Sequence, residues 1–504
     1  MLIRTVLVAS FLSAVCLPSG PEPGQNQQNR TASPPGPRRV VTVAEYGAVG
    51  DGHADDTKPI QRAIGACPPG GIVDFGRSTY LVKGLTLRSD CTYQGNNAAT
   101  ILVETPNIFA MSFNNVSDFT VDGITFHAAG LGGGHALPVT GVIIKNCRFE
   151  NIPASNRWPT NRALYSSKGP NDSRIENNHF ENGAVGIELY SVTHLTIAHN
   201  VADTLTGGDW LHITNFGGGD DVTIAGNTLS NLDGMGIELQ QGPWRRLSVT
   251  DNHILGWAVN HSTKTSWGIS LAIIGAGARV QNNTITETAP GTGSEFAYGI
   301  EVGGDHSIIE GNSIRGFQIG IVVQGAPFAT ISNNHLIDQT GGGIMFSNAG
   351  DELQTTVQGN TIENPKSYGI LNASTNWAGS VFMNNRISRS GGHWAGDTST
   401  VFNGFQTSAL YAKGSLTFTG NVIEQTAASP PPGFSFRAIV VYGSYAGDRY
   451  EGNDLSSRSS APFGCGFYSP QANSLDGAVF DGNFLHNLLE PFGGAATHAP
   501  DGVE

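Results

Sequence analysis

A short segment recurs along this chain: a β-rich run, an Asn, then a second β-rich run. The Asn markers are Asn178 in IENNHF, Asn200 in IAHNVA, Asn227 in IAGNTL, Asn252 in VTDNHI, Asn283 in VQNNTI, Asn312 in IEGNSI, Asn334 in ISNNHL and Asn360 in VQGNTI, 22 to 31 residues apart. That period is the mark of a solenoid. Each unit holds short alternating runs broken by Gly, Asn and Asp, with no helical periodicity. A single unit cannot bury its own apolar side, whereas stacked units can.

The segment GIELQQGPWRRLSVTDNHILGW shows how one coil reads. From Gly236 to Gln240 the alternation places Ile237 and Leu239 inward, Glu238 and Gln240 outward. LSVTDN forms a second strand, Asn252 is expected to turn the chain because Asn tolerates the left-handed region, and HIL is a third. The same mark continues at Asn385, Asn421, Asn453 and Asn483 with wider spacing and longer loops, such as that from Gln425 to Phe436. Three strands per coil with Asn stacked at one corner resembles the right-handed parallel β-helix of the pectate lyase and polygalacturonase superfamily. The stretch VTVAEYGAVGDGHADDTKPIQRAIGAC, ending at Cys67, closely resembles the N-terminal signature of that superfamily, and GGIVDFGRSTYLVKGLTLRSDCTYQG continues the likeness as the first strands. The residues agree with a helix that plugs the end of the solenoid. Asp56 or Thr57 is placed to cap it, Pro59 is tolerated in its first turn, and Ile60, Ala63 and Ile64 make one apolar face. The resemblance implies an all-β right-handed parallel β-helix with an N-terminal capping helix. It does not fix the reaction, since the signature recurs in hydrolases, lyases, epimerases and phage spikes.

The remainder of the chain sets the context. Residues 1–19 read as a secretory signal, with Arg4 before the apolar run Thr5 to Val15, too short to span a bilayer. Residues 20–39, rich in Pro, Gln, Asn and Gly, read as a disordered leader, and 40–504 as a single β-helix domain. These features predict a secreted protein with no membrane insertion. Sixty-seven glycines and only 13% charged residues suit many tight turns, and the net charge of −14 argues against nucleic acid, an anionic membrane or a polyanionic substrate. Cys67 and Cys91 either pair, as an exported chain permits, or remain buried thiols. Cys147 reads as core, and Cys465 has no evident partner. No CxxC or His-rich spacing points to zinc, so no metal or other cofactor is expected, apart from Ca²⁺ should the chain be a lyase.

Aligning the first strands by their inward residues stacks Ile187, Leu211, Ile237, Ile269, Ile300, Ile321, Ile344 and Ile370. The outward residues that follow them are Glu188, His212, Glu238, Ser270, Glu301, Val322, Met345 and Leu371. Ionisable groups thus crowd a few consecutive rungs and then stop. Rungs of a parallel sheet lie ~4.8 Å apart, so Glu188 and Glu238, two rungs apart, are roughly 9–10 Å apart at Cβ. Flexible side chains could close this to the roughly 6.5–9.5 Å of an inverting glycosidase, which leaves room for a water. His212 lies between them and is expected to bond one of the two. A metal held by Glu188, His212 and Glu238 is disfavoured by the vertical spacing. The plain alternative is a solvated polar row, which any outward strand position accepts.

GGDWLHI resembles the acidic strand of polygalacturonase-type hydrolases, with Asp209 on one acidic position. Val185 and Met235 stand where that pattern has an aspartate and a histidine, and no Arg-x-Lys follows. Catalysis is therefore assigned to Glu188, Asp209, His212 and Glu238. The loops Gly256 to Trp267 and Glu287 to Tyr298 precede first strands and should wall a cleft. Aromatics there and nearby, among them Trp244, Trp257 and Phe296, offer area for stacking on sugar rings, and Trp210, Lys264, Trp267 and Glu301 are the expected substrate-binding residues. The apolar stripe Val322, Met345, Leu371 calls for a cover, and a folded-back loop, the C-terminal tail or a subunit contact in a homo-oligomer would each supply it. The expected function is a secreted glycoside hydrolase acting on a polysaccharide or oligosaccharide with paired carboxylates. A polysaccharide lyase or epimerase is the second reading, weakened because the aligned rungs carry no Lys or Arg to neutralise a uronate. A non-catalytic carbohydrate-binding β-helix is the third.

Overall fold

A computed structural model describes residues 39–495, apart from 217, 258–264, 272–276, 289–295, 348–349, 375, 392–400, 408–414, 443–446 and 471–476. The signal and leader segments, apart from Arg39, and Lys264 lie outside the described residues. From Arg39 onward the chain forms one compact unit. It is a right-handed parallel β-helix. One continuous sheet of 16 strands forms the first wall, and the other strands join in a 32-stranded sheet. The larger sheet is continuous because the long strand Cys91–Val103 pairs with both Gly71–Asp74 and Thr79–Val82, which makes one surface of the other two walls. Alternation does the sorting: Ile187, Leu211, Ile237, Ile269, Ile300, Ile321, Ile344 and Ile370 are all 0% exposed and belong to one core.

The repeated Asn does more than the sequence suggests, and differently. The left-handed residue at each corner is the one before it: Asn177, His199, Gly226, Asp251, Asn282, Gly311, Asn333 and Gly359 all have φ between 55° and 67°. Asn252 does not itself turn the chain. Its side chain is buried and bridges coils. Each Oδ1 accepts from the main-chain N–H and the side-chain amide of the Asn one coil earlier, as Asn283 does from Asn252 at 3.0 Å and 3.0 Å. The ladder runs without a break from Asn178 to Asn483. An amide alone among small side chains carries both the acceptor and the donors that this stacking consumes.

The helix Thr57–Ala66 closes the N-terminal end and buries Ile60, Ala63 and Ile64. Asp56 occupies the residue before it but does not cap it. Its carboxylate instead accepts the amides of Val49 at 2.6 Å and Gly50 at 3.0 Å, tying down the VGD turn. Cys67 and Cys91 form a disulfide, with Cα atoms 6.6 Å apart. Cys147 and Cys465 are buried thiols. No helix among the described residues is long and apolar enough to cross a membrane.

Candidate functional site

The ladder read from the sequence is the ladder in the fold. Glu188 pairs with His212, His212 with Glu238, Glu238 with Ser270, Ser270 with Glu301 and Glu301 with Val322, all in parallel register on the 16-stranded sheet. These residues project from the wall away from the apolar core. They are nevertheless well covered: Glu188 is 4%, Glu238 5%, Ser270 3% and Glu301 3% exposed. Val322, the start of the apolar stripe, is 1% exposed within the single chain.

The structure gathers three of the four expected catalytic residues. His212 Nδ1 lies 2.9 Å from Glu238 Oε2 and 3.6 Å from Asp209 Oδ2, and its Nε2 is 2.8 Å from the Thr214 hydroxyl. Gln240 donates to the other oxygen of Glu238. Asp209 Oδ1 accepts the Met235 amide at 2.7 Å, so Met235 supplies main chain where the polygalacturonase pattern has a histidine side chain. Gly234 sits against this carboxylate. A Cβ there would lie 2.7 Å from Asp209 Oδ1 and 2.7 Å from the Gly208 carbonyl carbon. Beneath it, the Trp257 indole N–H donates to the Gly234 carbonyl.

Electrostatics separate the two carboxyls. Burial pushes Asp209 up and the Glu238 charge adds to it, against the opposing pull of His212. Burial would also raise Glu238, but the hydrogen bond and charge of His212, together with Gln240, outweigh it and hold Glu238 below the usual 4.5. Burial alone would lower His212; its bonds to Asp209 and Glu238 and their charges instead raise it to about 10. Near neutral pH the trio thus holds an imidazolium and an ionised Glu238, with burial and the Glu238 charge raising the Asp209 carboxyl above the ordinary aspartate. One donor atom from each of Asp209, His212 and Glu238 lies within 4.8 Å of the others, which is compatible with a metal ion. A metal would have to displace the His212 proton, against a pKa of about 10.

Glu188, the fourth expected catalytic residue, belongs to a different cluster. Its Oε1 accepts Trp158 Nε1 at 3.0 Å and Tyr190 Oη at 2.6 Å, and Arg162 Nε lies 2.5 Å from Oε2. Burial would raise it, but these hydrogen bonds and the Arg162 charge keep it low. Arg162 lies on the first wall one rung before Glu188, where the strand Arg162–Ser166 pairs with Val185–Tyr190. The alignment began at Ile187 and so missed both this arginine and Trp158. The alternation of Arg162–Ser166 puts Tyr165, not Arg162, beside Glu188, and Trp158 precedes the strand, so counting along the coils reaches neither partner.

The expected binding residues fare unevenly. Trp210 is 0% exposed and packs edge-on against Phe180, so it is a core residue. It points inward because it stands in a row of glycines: a Cβ on Gly186 of the preceding coil would meet the Trp210 ring at 2.8 Å. Trp244 and Trp257 are likewise buried. Glu301 is buried with both oxygens engaged, by Ser270 Oγ at 2.9 Å and by Gln324, and burial raises its pKa. Trp267 is half-buried and stacks on Tyr298 at 5.7 Å. A separate cleft of about 270 Å³, lined by Phe434, Phe436, Arg437, Phe463 and Tyr468 among others, lies on later coils of the same wall, away from the trio.

Comparison with known proteins supports the architecture. An exo-poly-alpha-D-galacturonosidase of Dickeya chrysanthemi is 39% identical over 64 residues, 13% of this chain and 11% of that protein. The plasmin and fibronectin-binding protein A of Streptococcus pneumoniae (strain ATCC BAA-255 / R6) is 47% identical over 67 residues, 12% of this chain and 9% of that one. The chain therefore matches about a tenth of the length of these curated relatives. Among solved structures, the DFA-IIIase from Arthrobacter chlorophenolicus A6 without its lid has 13% identity and a TM-score of 0.49, covering 66% of this chain and 95% of that one. The family described as right handed beta helix region matches residues 71–215, 109–266 and 256–456. With matches reaching across most of the solenoid, and parallel coils that agree with them, the chain belongs to the right-handed β-helix family.

Proposed function

We propose that this chain is an exported glycoside hydrolase acting on a polysaccharide or oligosaccharide, with Asp209 as proton donor and Glu238 as the ionised partner. The observation that carries this reading is two carboxyls sharing one imidazole while their pKa values move in opposite directions. Groups pushed apart in this way are the usual mark of an acid and a base at one site. The Asp209 side chain is 21% exposed, so it can meet a glycosidic oxygen. Protonation by Asp209 releases that oxygen from the sugar carbon; the Glu238 carboxylate stabilises the positive charge left there, and a water that bonds to the carbon returns a proton to Asp209. His212, already protonated, fixes the Glu238 carboxylate rather than taking a proton. With Glu188 ion-paired to Arg162, the two-rung spacing behind the inverting expectation no longer describes the reacting pair. The short stretch shared with a galacturonosidase supports a glycan as the substrate class.

The test is incubation with soluble glucan, xylan, mannan and polygalacturonate, reading reducing ends and the ultraviolet absorbance of unsaturated uronates. New reducing ends without unsaturation are expected. Unsaturated ends would replace hydrolysis by elimination, the lyase reading. Asp209→Asn and Glu238→Gln should each lower kcat by roughly 10²–10⁴ with the fold intact; wild-type turnover in either variant removes that residue from the chemistry.

A further inference from the structure

We propose that Trp158, Tyr190 and Phe216 form a platform on which an uncharged pyranose ring of the substrate stacks, and that Glu188 is the residue that positions it. This rests on the glycan reading above and assigns a subsite to it. Trp158 is 58% and Phe216 70% exposed, and large aromatics left in water beside a candidate site mark a contact surface. The rings are linked: Trp158 meets Tyr165 edge-on at 5.5 Å, Tyr165 meets Tyr190 at 6.1 Å, and Tyr190 stacks on Phe216 at 6.2 Å with 8° between planes.

They are also held. One oxygen, Glu188 Oε1, accepts from both the Trp158 indole and the Tyr190 hydroxyl, and Arg162 holds the other. A carboxylate buried to 4% exposure with its counter-ion is a weak source of stability, since desolvation offsets the attraction. What the arrangement does supply is rigidity. Aromatic rings fixed before the ligand arrives lose little freedom on binding it. The Arg162 and Glu188 charges cancel, so the platform offers ring carbon without net charge, suited to the C–H face of a neutral sugar. Its place is continuous with the trio. Tyr190 pairs with Thr214, whose hydroxyl contacts His212, one rung or ~4.8 Å along the wall.

The experiment separates binding from turnover. In the Asp209→Asn background, affinity electrophoresis is run through gels carrying each of the four polysaccharides named above. The expected result is retardation by at least one neutral polysaccharide, lost or weakened about tenfold on adding Trp158→Ala or Phe216→Ala. Both side chains are exposed, so unchanged far-ultraviolet circular dichroism is the folding control. In the active chain Glu188→Gln should raise KM with little change in kcat. Retardation by none of the polysaccharides, undiminished retardation in both aromatic variants, or a fall in kcat at constant KM in Glu188→Gln would each overturn the assignment. If the native chain cleaves nothing while retardation still depends on Trp158, the hydrolase reading fails and the platform stands.

Discussion

Replacing Asn283 by Ala tests the idea that the Asn ladder, and not only apolar stacking, holds the coils in register. Asn283 is 0% exposed. Its Oδ1 accepts the Asn252 amide and the Asn252 side chain, both at 3.0 Å, and its Nδ2 donates to the Val249 carbonyl at 2.9 Å and to Asn312 Oδ1 at 2.9 Å. Two of the neighbours keep a second partner. Asn252 Nδ2 still reaches the Ile224 carbonyl, and Asn312 Oδ1 still accepts the Asn283 main chain. The Asn252 main-chain N–H is left buried and without an acceptor, at a cost of about 1–3 kcal/mol. The lost bonds that keep another partner add about 0.5–1.5 kcal/mol each. The sum is about 2–6 kcal/mol, read as a lower urea midpoint by circular dichroism at unchanged slope. Hydrogen exchange should show the Asn252 amide protected in the native chain and fast in the variant. Asn283→Asp sharpens the test. Its ionised form faces acceptors and cannot donate, whereas its protonated form can. Relative to the native chain that variant should therefore gain stability as the pH falls through a raised carboxyl pKa. A midpoint for Asn283→Ala within about 0.5 kcal/mol of native would show that the ladder is incidental.

Other outcomes follow from the trio. His212 carries a folded pKa of about 10 against an ordinary 6.5, set by Asp209 and Glu238 with Thr214 on its far nitrogen. Its stabilisation is complete below pH 6.5 and fades as the pH rises toward 10. Thermal unfolding between pH 7 and 10.5 should show a loss on the order of a few kcal/mol that is absent in His212→Gln; equal slopes in the two proteins would refute the pairing. Gly234→Ala should lower turnover at least tenfold, because the added carbon meets both Asp209 Oδ1 and the Gly208 backbone. The same overlap should cost about 1–3 kcal/mol of stability by denaturation. Full activity in that variant would mean that the position of Asp209 is not used.

The architecture was legible because its rules are local. A strand alternates every residue and each coil carries its Asn mark every 22 to 31 residues, so the inward Ile series and the register from Glu188 to Glu301 follow from aligning coil on coil. Trp210, expected at the cleft only because it lies near these strands in sequence, is instead a core residue. In that coil the tryptophan occupies a row that is glycine in its neighbours, and the space above Gly186 belongs to its ring. Only the stacking of unlike coils decides such a position.

The chain's own sequence determined that it winds into a parallel solenoid, which residues face out of it and which carboxyls share a wall, since these depend on period and alternation alone. Tertiary structure decided what each outward carboxyl touches. Glu188 meets Trp158 and Arg162 from the preceding coil, while Glu238 and Asp209 converge on His212. Residues on one rung are fixed by backbone geometry, but their protonation is set by burial and by partners delivered from loops, whose paths no periodicity encodes.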